Sequence, residues 1–212
     1  MNDLSWLRSR GYAEPSALKL VGDRYQLRQR QRVAVGRCAC AEACRVARAA
    51  KRVQAADVEG QVLAIDGLNV VTTIEVALAR GVLLLGRDQC MRDMASFHGS
   101  YRLVHETKPA LTILVDLVRA LRPTHTVVYI DRPVSNSGRL AEALRAAARA
   151  GEVGLEAETA DDVDGTLKRA EGVVASADSA ILDVCGAWLP LARLAVERHR
   201  DAMPPLWLVD LS

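Results

Sequence analysis

The sequence predicts an α/β protein in which a mainly parallel sheet lies between two layers of helices, preceded by a small all-α region. Two patterns predict this architecture. From residue 61 onward, short apolar runs alternate with helical patterns, which is typical of parallel sheets covered on both faces. Before that, the chain lacks strand alternation and is rich in Ala, Leu and Arg, which are good helix formers. We therefore predict a basic helical domain over residues 1–58 and an α/β domain over residues 59–212.

The individual elements follow from these runs. Several of the apolar runs are rich in valine, which favours strands. The predicted strands are QVLAID, GVLLLG, THTVVYID, EVGLEAE, GVVASAD and PLWLVDL. The predicted helices are PALTILVDLVRALR, SGRLAEALRAAARAG, DDVDGTLKRAEG and AWLPLARLAVERHR. Strands and helices thus alternate along most of the second domain.

The helical domain is basic and the α/β domain is acidic. Residues 1–60 carry 12 Lys and Arg against 6 Asp and Glu, whereas the remaining residues carry 16 against 20. Arg24, Arg28 and Arg32 recur every four residues, which predicts that they lie along one face of a helix. The charge distribution indicates that the first part meets an anion and the second holds cations. The alternative is a solvated helical surface.

Neither a membrane span nor an export signal is expected. No apolar run reaches the roughly 18 residues that a spanning helix needs, and the first residues contain no continuous apolar segment. The five cysteines are an odd number, which favours free thiols in a reducing cytoplasm. Cys38, Cys40 and Cys44 have no fourth ligand nearby in the sequence, so buried thiols are favoured over a zinc site.

Aspartates stand at the ends of three predicted strands. Asp66 ends the first strand, Asp131 ends the central one, and Asp178 follows a third. Because ligands bind beyond the carboxyl ends of parallel strands, we expect these three side chains to lie close together. Such a cluster of negative charge is tolerable when a hard cation such as Mg²⁺ or Mn²⁺ neutralises it. The alternative for each aspartate is a cap on the following helix.

Another acidic stretch, TADDVDGTL, suggests a different chemistry. Asp162 and Asp164 spell the DxDGT signature of the haloacid-dehalogenase phosphatases, in which the first aspartate attacks a phosphoryl group. A nucleophile of this kind must follow a buried strand, whereas Asp162 follows polar residues and opens a predicted helix. A phosphatase is therefore the less favoured alternative.

Four motifs in a fixed order support a nuclease instead. They are IDGLNV, VVYIDRPVSNSG, ETADDVDGTL and VVASADSAILD, over roughly residues 61–185. Their order and placement resemble the PIN-like superfamily of metal-dependent nucleases, and most closely its NYN-domain branch. The resemblance implies a three-layer α/β/α fold and a set of catalytic, metal-binding acids: Asp66, Asp131, Asp161 and Asp178. It also implies that Asn69 orients a carboxylate or the substrate.

Further acidic residues are candidate ligands. Asp93 comes from a segment outside the general pattern, and Asp162 and Asp164 come from the phosphatase-like stretch. Asp164 lies three residues beyond Asp161, so the two are expected to share a helix face. Ala180 stands where many members of the resembled family have another aspartate, which leaves the number of metal ions open.

Substrate contacts are predicted in two places. The segment PVSNSG lies near a helix start, which is either a phosphate cradle or an ordinary cap. The candidate substrate-binding residues are Asn69, Ser135, Asn136, Ser137, Arg24, Arg28 and Arg32.

The predicted function is a nuclease that depends on Mg²⁺ or Mn²⁺ and acts on RNA, guided by the basic helical domain. The alternative is a non-catalytic RNA-binding or scaffold protein on the same fold. The glycine-rich loops typical of nucleotide cofactor sites do not occur in the sequence. RNA against DNA, the mode of cleavage and a homodimer all stay open.

Overall fold

A computed structural model describes residues 1–95 and 99–212. It confirms an α/β protein with a mainly parallel sheet flanked by helices and preceded by an all-helical region. The N-terminal helices are α1 (Asn2–Ser9), α2 (Glu14–Arg24), α3 (Gln29–Cys38) and α4 (Glu42–Lys51). A 3-10 helix at Ala55–Val58 leads into the α/β region.

The α/β region alternates strands and helices over most of its length. The strands are β1 (Val62–Asp66), β2 (Val82–Leu85), β3 (Met91–Asp93), β4 (His125–Asp131), β5 (Glu156–Ala160), β6 (Val173–Ala175), β7 (Ala187–Trp188) and β8 (Trp207–Asp210). The helices are α5 (Gly67–Leu78), α6 (Thr107–Leu121), α7 (Ser137–Ala150), α8 (Val163–Lys168), α9 (Ser179–Leu182) and α10 (Leu191–Arg198). Among the described residues, every helix is too short or too polar to cross a membrane.

Five strands form one parallel sheet in the order β5-β4-β1-β6-β7. Side chains alternate between its faces. Leu63 and Ile65 pack on the face covered by α5, α6, α7 and α10, whereas Ala64 packs on the opposite face with residues of α8 and α9. Helices therefore cover both faces of this sheet, as predicted.

Two predicted strands join a separate sheet. The runs GVLLLG and PLWLVDL form β2 and β8, which pair in parallel, and β3 adds to β2 in antiparallel orientation. A short connection explains the antiparallel pairing, since parallel neighbours need a long crossover. The turn is closed by hydrogen bonds between Gly86 and Cys90 and between Gln89 and Gly86, with Gln89 at a positive φ of 66°.

The prediction that three arginines share one helical face is wrong. Arg24 is the last residue of α2, Arg28 precedes α3, and Arg32 lies within α3. The guanidinium of Arg32 forms an ion pair with Asp23 at 2.9 Å instead of pointing along a common stripe. A spacing of four residues aligns side chains only where the helix is continuous.

The helix break has a local cause. Gln26 adopts a left-handed φ of 50°. The N–H of Gln26 donates to the carbonyl of Asp23 at 3.2 Å, and that of Leu27 donates to the carbonyl of Gly22 at 2.8 Å. These two bonds form a Schellman motif, which ends a helix and usually has glycine at the left-handed position. Because glutamine occupies that position here, the sequence did not signal the end of α2.

Gly67 allows α5 to begin directly against the sheet. A Cβ atom at this residue would lie 2.8 Å from the carbonyl oxygen of Tyr129 and 2.8 Å from a methyl group of Val128. We expect Gly67→Ala to lower the free energy of unfolding by about 1–3 kcal/mol, the usual cost of overpacking. Urea denaturation measures the change.

Gly138, in α7, is the matched control, because a Cβ atom there would have no neighbour within 4 Å. Gly138→Ala is expected to raise stability by up to about 1 kcal/mol through helix propensity. If both alanine variants stabilise the protein, the close approach of α5 to β4 is contradicted.

Candidate active site

Five aspartates line one cavity at the carboxyl edge of the parallel sheet. The cavity has a volume of about 480 Å³. Its aspartates are Asp66, Asp93, Asp131, Asp164 and Asp178, and Asn69 lies among them. The structure thus brings together three of the four acids implied by the nuclease resemblance, two of the additional candidates, and the predicted asparagine.

The topology of the sheet creates this cavity. β1 is followed by α5 on one face of the sheet, whereas β6 is followed by α9 on the other face. The chain therefore leaves two adjacent strands in opposite directions, which opens a crevice beyond their carboxyl ends. Asp66 and Asp178 stand at the starts of α5 and α9, so the crevice is lined by acids from both strands.

Asp66 is the deepest of these acids, with 7% of its surface exposed. One carboxylate oxygen accepts a hydrogen bond from the N–H of Asn69 at 3.3 Å, and the other accepts from the hydroxyl of Ser176 at 2.7 Å. Burial, together with the nearby charges of Asp131 and Asp178, outweighs the two hydrogen bonds and raises the pKa of Asp66 to about 7. Asp66 is therefore partly protonated near neutral pH without a cation.

Ser176 connects the two acids at the crevice. Its hydroxyl donates to Asp66 and accepts from the N–H of Asp178 at 3.0 Å. Asn69 adds a parallel link, because its amide oxygen accepts from the N–H of Ala177 at 2.9 Å. Ser176 was not predicted as a site residue, although it lies two residues before Asp178 in the motif VVASADSAILD.

Helix capping and site formation are combined at two of the acids. The carboxylate of Asp66 accepts from the N–H of Asn69, the third residue of α5. The carboxylate of Asp178 accepts from the N–H of Ala180 at 2.6 Å. Both are N-caps, which was the alternative reading of these residues. Capping leaves other lone pairs of the same carboxylates available within the cavity.

The other three aspartates of the cavity come from three other elements. Asp131 ends β4, and burial followed by the charge of Asp164 raises its pKa above the ordinary value. Asp164 lies in the first turn of α8, where Lys168 is 3.7 Å away. Asp93 ends β3 and accepts a hydrogen bond from the hydroxyl of Thr73 at 2.8 Å.

Asp161 and Asp162 lie outside the cavity lining. The carboxylate of Asp161 forms an ion pair with Arg132 at 2.8 Å and is 73% exposed. Asp161 precedes α8. The expectation that Asp161 and Asp164 share a helix face is therefore wrong. Asp162 caps α8 by accepting from the N–H of Gly165 at 2.8 Å, and this exposed position does not suit a phosphatase nucleophile.

The predicted phosphate cradle after β4 contacts another loop. The carbonyl of Ser135 accepts from the N–H of Tyr101 at 3.2 Å, and the amide of Asn136 donates to the carbonyl of Tyr101 at 2.7 Å. Ser137 is buried, and its hydroxyl donates to the carbonyl of Arg132 at 3.3 Å. None of the three serine and asparagine residues is among those lining the cavity.

A buried network of charged residues lies behind the site. Asp88 accepts hydrogen bonds from Arg92 at 2.8 and 2.6 Å and from Arg48 at 2.7 Å. Arg48 and Asp88 have side chains only 1% and 2% exposed. Burial alone would raise the pKa of Asp88, but the hydrogen bonds and charges of the two arginines hold it below the ordinary value. Asp88 is therefore a structural counter-ion.

This network positions the loop that carries Asp178. Arg92 donates to the carbonyl of Ala177 at 2.9 Å. Arg48 donates to the hydroxyl of Ser179 at 3.1 Å and to its carbonyl at 3.3 Å. The residues on both sides of Asp178 are thus held by arginines. Arg48 belongs to α4, so the N-terminal region helps to build the site.

Other arginines of the N-terminal helices also line the cavity. Arg8, from α1, donates to the carbonyl of Ala39 at 2.6 Å and pairs with Glu14 at 3.1 Å. Arg37, from α3, donates to the carbonyls of Asp93 at 2.6 Å and Ala95 at 2.8 Å. The cavity lining therefore combines carboxylates with guanidinium groups, and two of these are already paired: Arg8 with Glu14, and Arg37 with Asp93 at 3.8 Å.

The donor set is consistent with a hard divalent cation, because it consists of carboxylate and amide oxygens. Within residues 1–95 and 99–212, no three His, Cys, Asp or Glu side chains are grouped closely enough to hold a metal ion. A cation held by the described residues in this arrangement would have at most two direct carboxylate ligands. Mg²⁺ is commonly bound in this way, with water and substrate phosphate completing its coordination. All five cysteines are free thiols.

Comparisons with known proteins place the chain in a family. Residues 1–51 match the family described as Protein of unknown function (DUF434), and residues 55–194 match the one described as Domain of unknown function (DUF5616). "Uncharacterized protein MJ0935" of Methanocaldococcus jannaschii is 28% identical over 180 residues, covering 85% of this chain and 86% of the relative. No solved structure matches the chain. Because the second family match spans well over half of its length, the chain belongs to the DUF5616 family.

Proposed function

We propose that the protein is a nuclease that depends on Mg²⁺ or Mn²⁺ and acts on RNA. The convergence of Asp66, Asp131, Asp164 and Asp178 at one edge of a parallel sheet carries this proposal. Four carboxylates brought together by different elements are costly unless a cation neutralises them. The order of acidic motifs resembles PIN-like nucleases and supports the same chemistry.

Two of the four aspartates would hold the cation directly and the other two through bound water. The cation, when bound, supplies activation of water and charge neutralisation at phosphate. Ser176 links the carboxylate of Asp66 to the backbone N–H of Asp178, and Asp131 and Asp164 line the same cavity. Asp164 takes the place that the resemblance gave to Asp161, because Asp164 lines the cavity and Asp161 pairs with Arg132 outside it.

The cavity also offers donors for an anionic substrate. Asn69 uses its amide oxygen to accept from Ala177, so its NH₂ group is the remaining donor toward a phosphate oxygen. Arg8 and Arg37 add positive charge to the lining of the cavity. An acidic site needs such charges, since its carboxylates repel phosphate.

A non-catalytic RNA-binding protein on the same fold is the second candidate. Ala180 stands where the resembled nucleases have another aspartate. Within the described part of the chain, no three acids are grouped tightly enough to hold an ion without water or substrate. These two observations favour binding without turnover.

A cleavage assay with a matched pair of variants tests the proposal. Wild type is expected to degrade single-stranded RNA with Mn²⁺ and to lose this activity in chelator. Asp164→Asn is expected to lower the rate about 100-fold, as removal of a charge that stabilises the transition state costs roughly 3 kcal/mol. Asp161→Asn, an exposed residue three positions away, is expected to stay within about twofold of wild type.

The outcomes separate the candidates. RNA binding without Mn²⁺-dependent cleavage in the wild type supports the non-catalytic alternative. A large loss in Asp161→Asn together with normal cleavage by Asp164→Asn restores Asp161 as the ligand and rejects the assignment of Asp164.

A further inference from the structure

We propose that a surface on the N-terminal helices binds single-stranded RNA, with bases stacked on Trp6 and Tyr25 and phosphates contacted by Arg10 and Arg24. We call this surface the head groove. The inference rests on the proposed function, since it specifies single-stranded RNA as the substrate class of the same protein.

Exposed aromatic side chains are the first observation. The chain has 3 Trp, 4 Tyr and 1 Phe. Trp6, Tyr12 and Tyr25 all lie in the first 25 residues, and they are 54%, 50% and 54% exposed. A chain with few aromatics leaves several of them open to solvent in one region, which is typical of a surface that meets a partner.

A groove between α1 and α2 is lined by one of these rings, Trp6, and a second ring, Tyr25, lies beside it. It has a volume of about 580 Å³, and its lining includes Trp6, Leu20 and Arg24. Tyr25 follows directly after Arg24, and its hydroxyl donates to Asp3, another lining residue, at 2.7 Å. This hydrogen bond orients the tyrosine ring beside the groove while leaving the ring exposed.

Arginines are placed against the aromatic rings. The guanidinium of Arg10 lies 3.6 Å from the centroid of the Trp6 ring, and that of Arg24 lies 5.7 Å from the centroid of Tyr25. Both distances are within the range of cation–π contacts. Each aromatic ring therefore has an arginine beside it. A base stacked on the ring would bring its phosphate close to that arginine.

The arginines around the head groove are also available to an anion. Across the residues that the structure covers, neither Arg10 nor Arg24 forms an ion pair. Other arginines of the same region are paired, such as Arg32 with Asp23 and Arg45 with Glu42. Positive charge that is not neutralised within the protein attracts a phosphate backbone.

The combination favours a single strand over other anionic partners. Aromatic rings alternating with cations bind unpaired bases and their backbone, because every base has a face for stacking. In a duplex the base faces are already stacked on one another, and an acidic peptide has no bases to stack on the rings. α1 also joins the two sites, since Arg8 lines the acidic cavity and Trp6 lines the head groove.

RNA binding in chelator tests the head groove without cleavage. The assay is fluorescence anisotropy with a labelled U-rich RNA of about 12 nucleotides, within the range of single-strand site sizes. We expect Trp6→Ala and Tyr25→Ala each to weaken binding by about 5- to 100-fold, the loss of one stacked base. Trp207→Ala is the matched control, because Trp207 is 62% exposed on β8. The Trp207→Ala variant is expected to bind the RNA with the affinity of wild type.

Charge variants provide an independent measurement if an alanine variant folds poorly. Arg10→Gln/Arg24→Gln is expected to make the log–log salt slope shallower by about 1.4, at roughly 0.7 per phosphate contact of a single strand. A duplex of the same sequence is expected to bind more weakly than the single strand and to be unaffected by Trp6→Ala.

Equal RNA affinities for Trp6→Ala, Tyr25→Ala and Trp207→Ala, with an unchanged salt slope in the arginine variant, would overturn the head groove as an RNA surface. The nuclease proposal would survive that result if wild type still cleaves RNA with Mn²⁺. In contrast, sensitivity of binding to Trp6→Ala without any cleavage supports the head groove and rejects the nuclease. Preference for anionic vesicles over RNA also overturns the inference.

Discussion

Replacing Arg48 with methionine is expected to lower the free energy of unfolding by about 3–5 kcal/mol, the cost of breaking a buried ion pair from one side. The guanidinium of Arg48 lies 2.7 Å from Asp88 and 2.7 Å from Asp183, and it contacts Ser179. Its removal takes away one of the two counter-ions of the buried Asp88, and it also breaks the ion pair with Asp183 and the hydrogen bonds to Ser179. Methionine keeps comparable helix propensity and length, so lost charge dominates the effect.

Arg45→Met is the matched control for this prediction. Arg45 lies on the same helix, three residues earlier, and pairs with Glu42 at 2.5 Å on the surface, where its side chain is 40% exposed. Exposed pairs contribute about 0–1 kcal/mol. Urea denaturation with equal slopes for both variants measures the difference. Similar losses for Arg48→Met and Arg45→Met would falsify the buried network as a major source of stability.

Asp66→Asn is expected to stabilise the metal-free protein at pH 8 by a few kcal/mol. The folded pKa of Asp66 is about 7, against an ordinary value of 3.8. Between these values the folded state binds a proton that the unfolded state has released. Stability of the wild type therefore falls as the pH rises from about 4 through 7, by roughly 1.4 kcal/mol per unit of pKa difference. Asparagine has a similar shape and does not ionise, so this decline should disappear.

Divalent metal is expected to make wild type more stable than Asp66→Asn, which is the reverse of their order without metal. Mn²⁺ binds the folded wild type and raises its melting temperature by mass action, whereas Asp66→Asn should gain much less. Asp161→Asn serves as the control, because Asp161 is exposed outside the cavity and should leave both the pH profile and the Mn²⁺ gain unchanged. Identical melting curves with millimolar Mn²⁺ and with chelator would count against a metal site in the wild type.

The strand ends were the most predictable part of the candidate site. Asp66, Asp131 and Asp178 were expected to meet because parallel strands present their carboxyl ends at one edge, and all three line the cavity. Asp164 was harder to choose over Asp161, because the choice depends on where α8 begins. α8 begins at Val163. Asp164 therefore lies in its first turn and lines the cavity, whereas Asp161 lies before the helix.

Contacts between distant residues could not be predicted in this way. Arg48 is separated from Asp88 by 40 residues and from Asp183 by 135. In the sequence, Arg48 is one of several arginines in an Ala-rich helix, and nothing distinguishes it from Arg45. Its burial depends on how α4 packs against the loop after β6, which is a property of the assembled fold.

The sequence by itself determined the alternation of strands and helices, the all-helical start and the acids at the strand ends. These features are local, because they follow from hydrophobic periodicity over a few residues and from the residue at the end of each run. Only the tertiary structure decided the separate sheet of β2, β3 and β8, the helix break that separates Arg24 from Arg32, and the burial of Arg48. The physical reason is that burial, ion pairing and capping depend on which distant elements meet, and a periodic pattern contains no information about its neighbour in space.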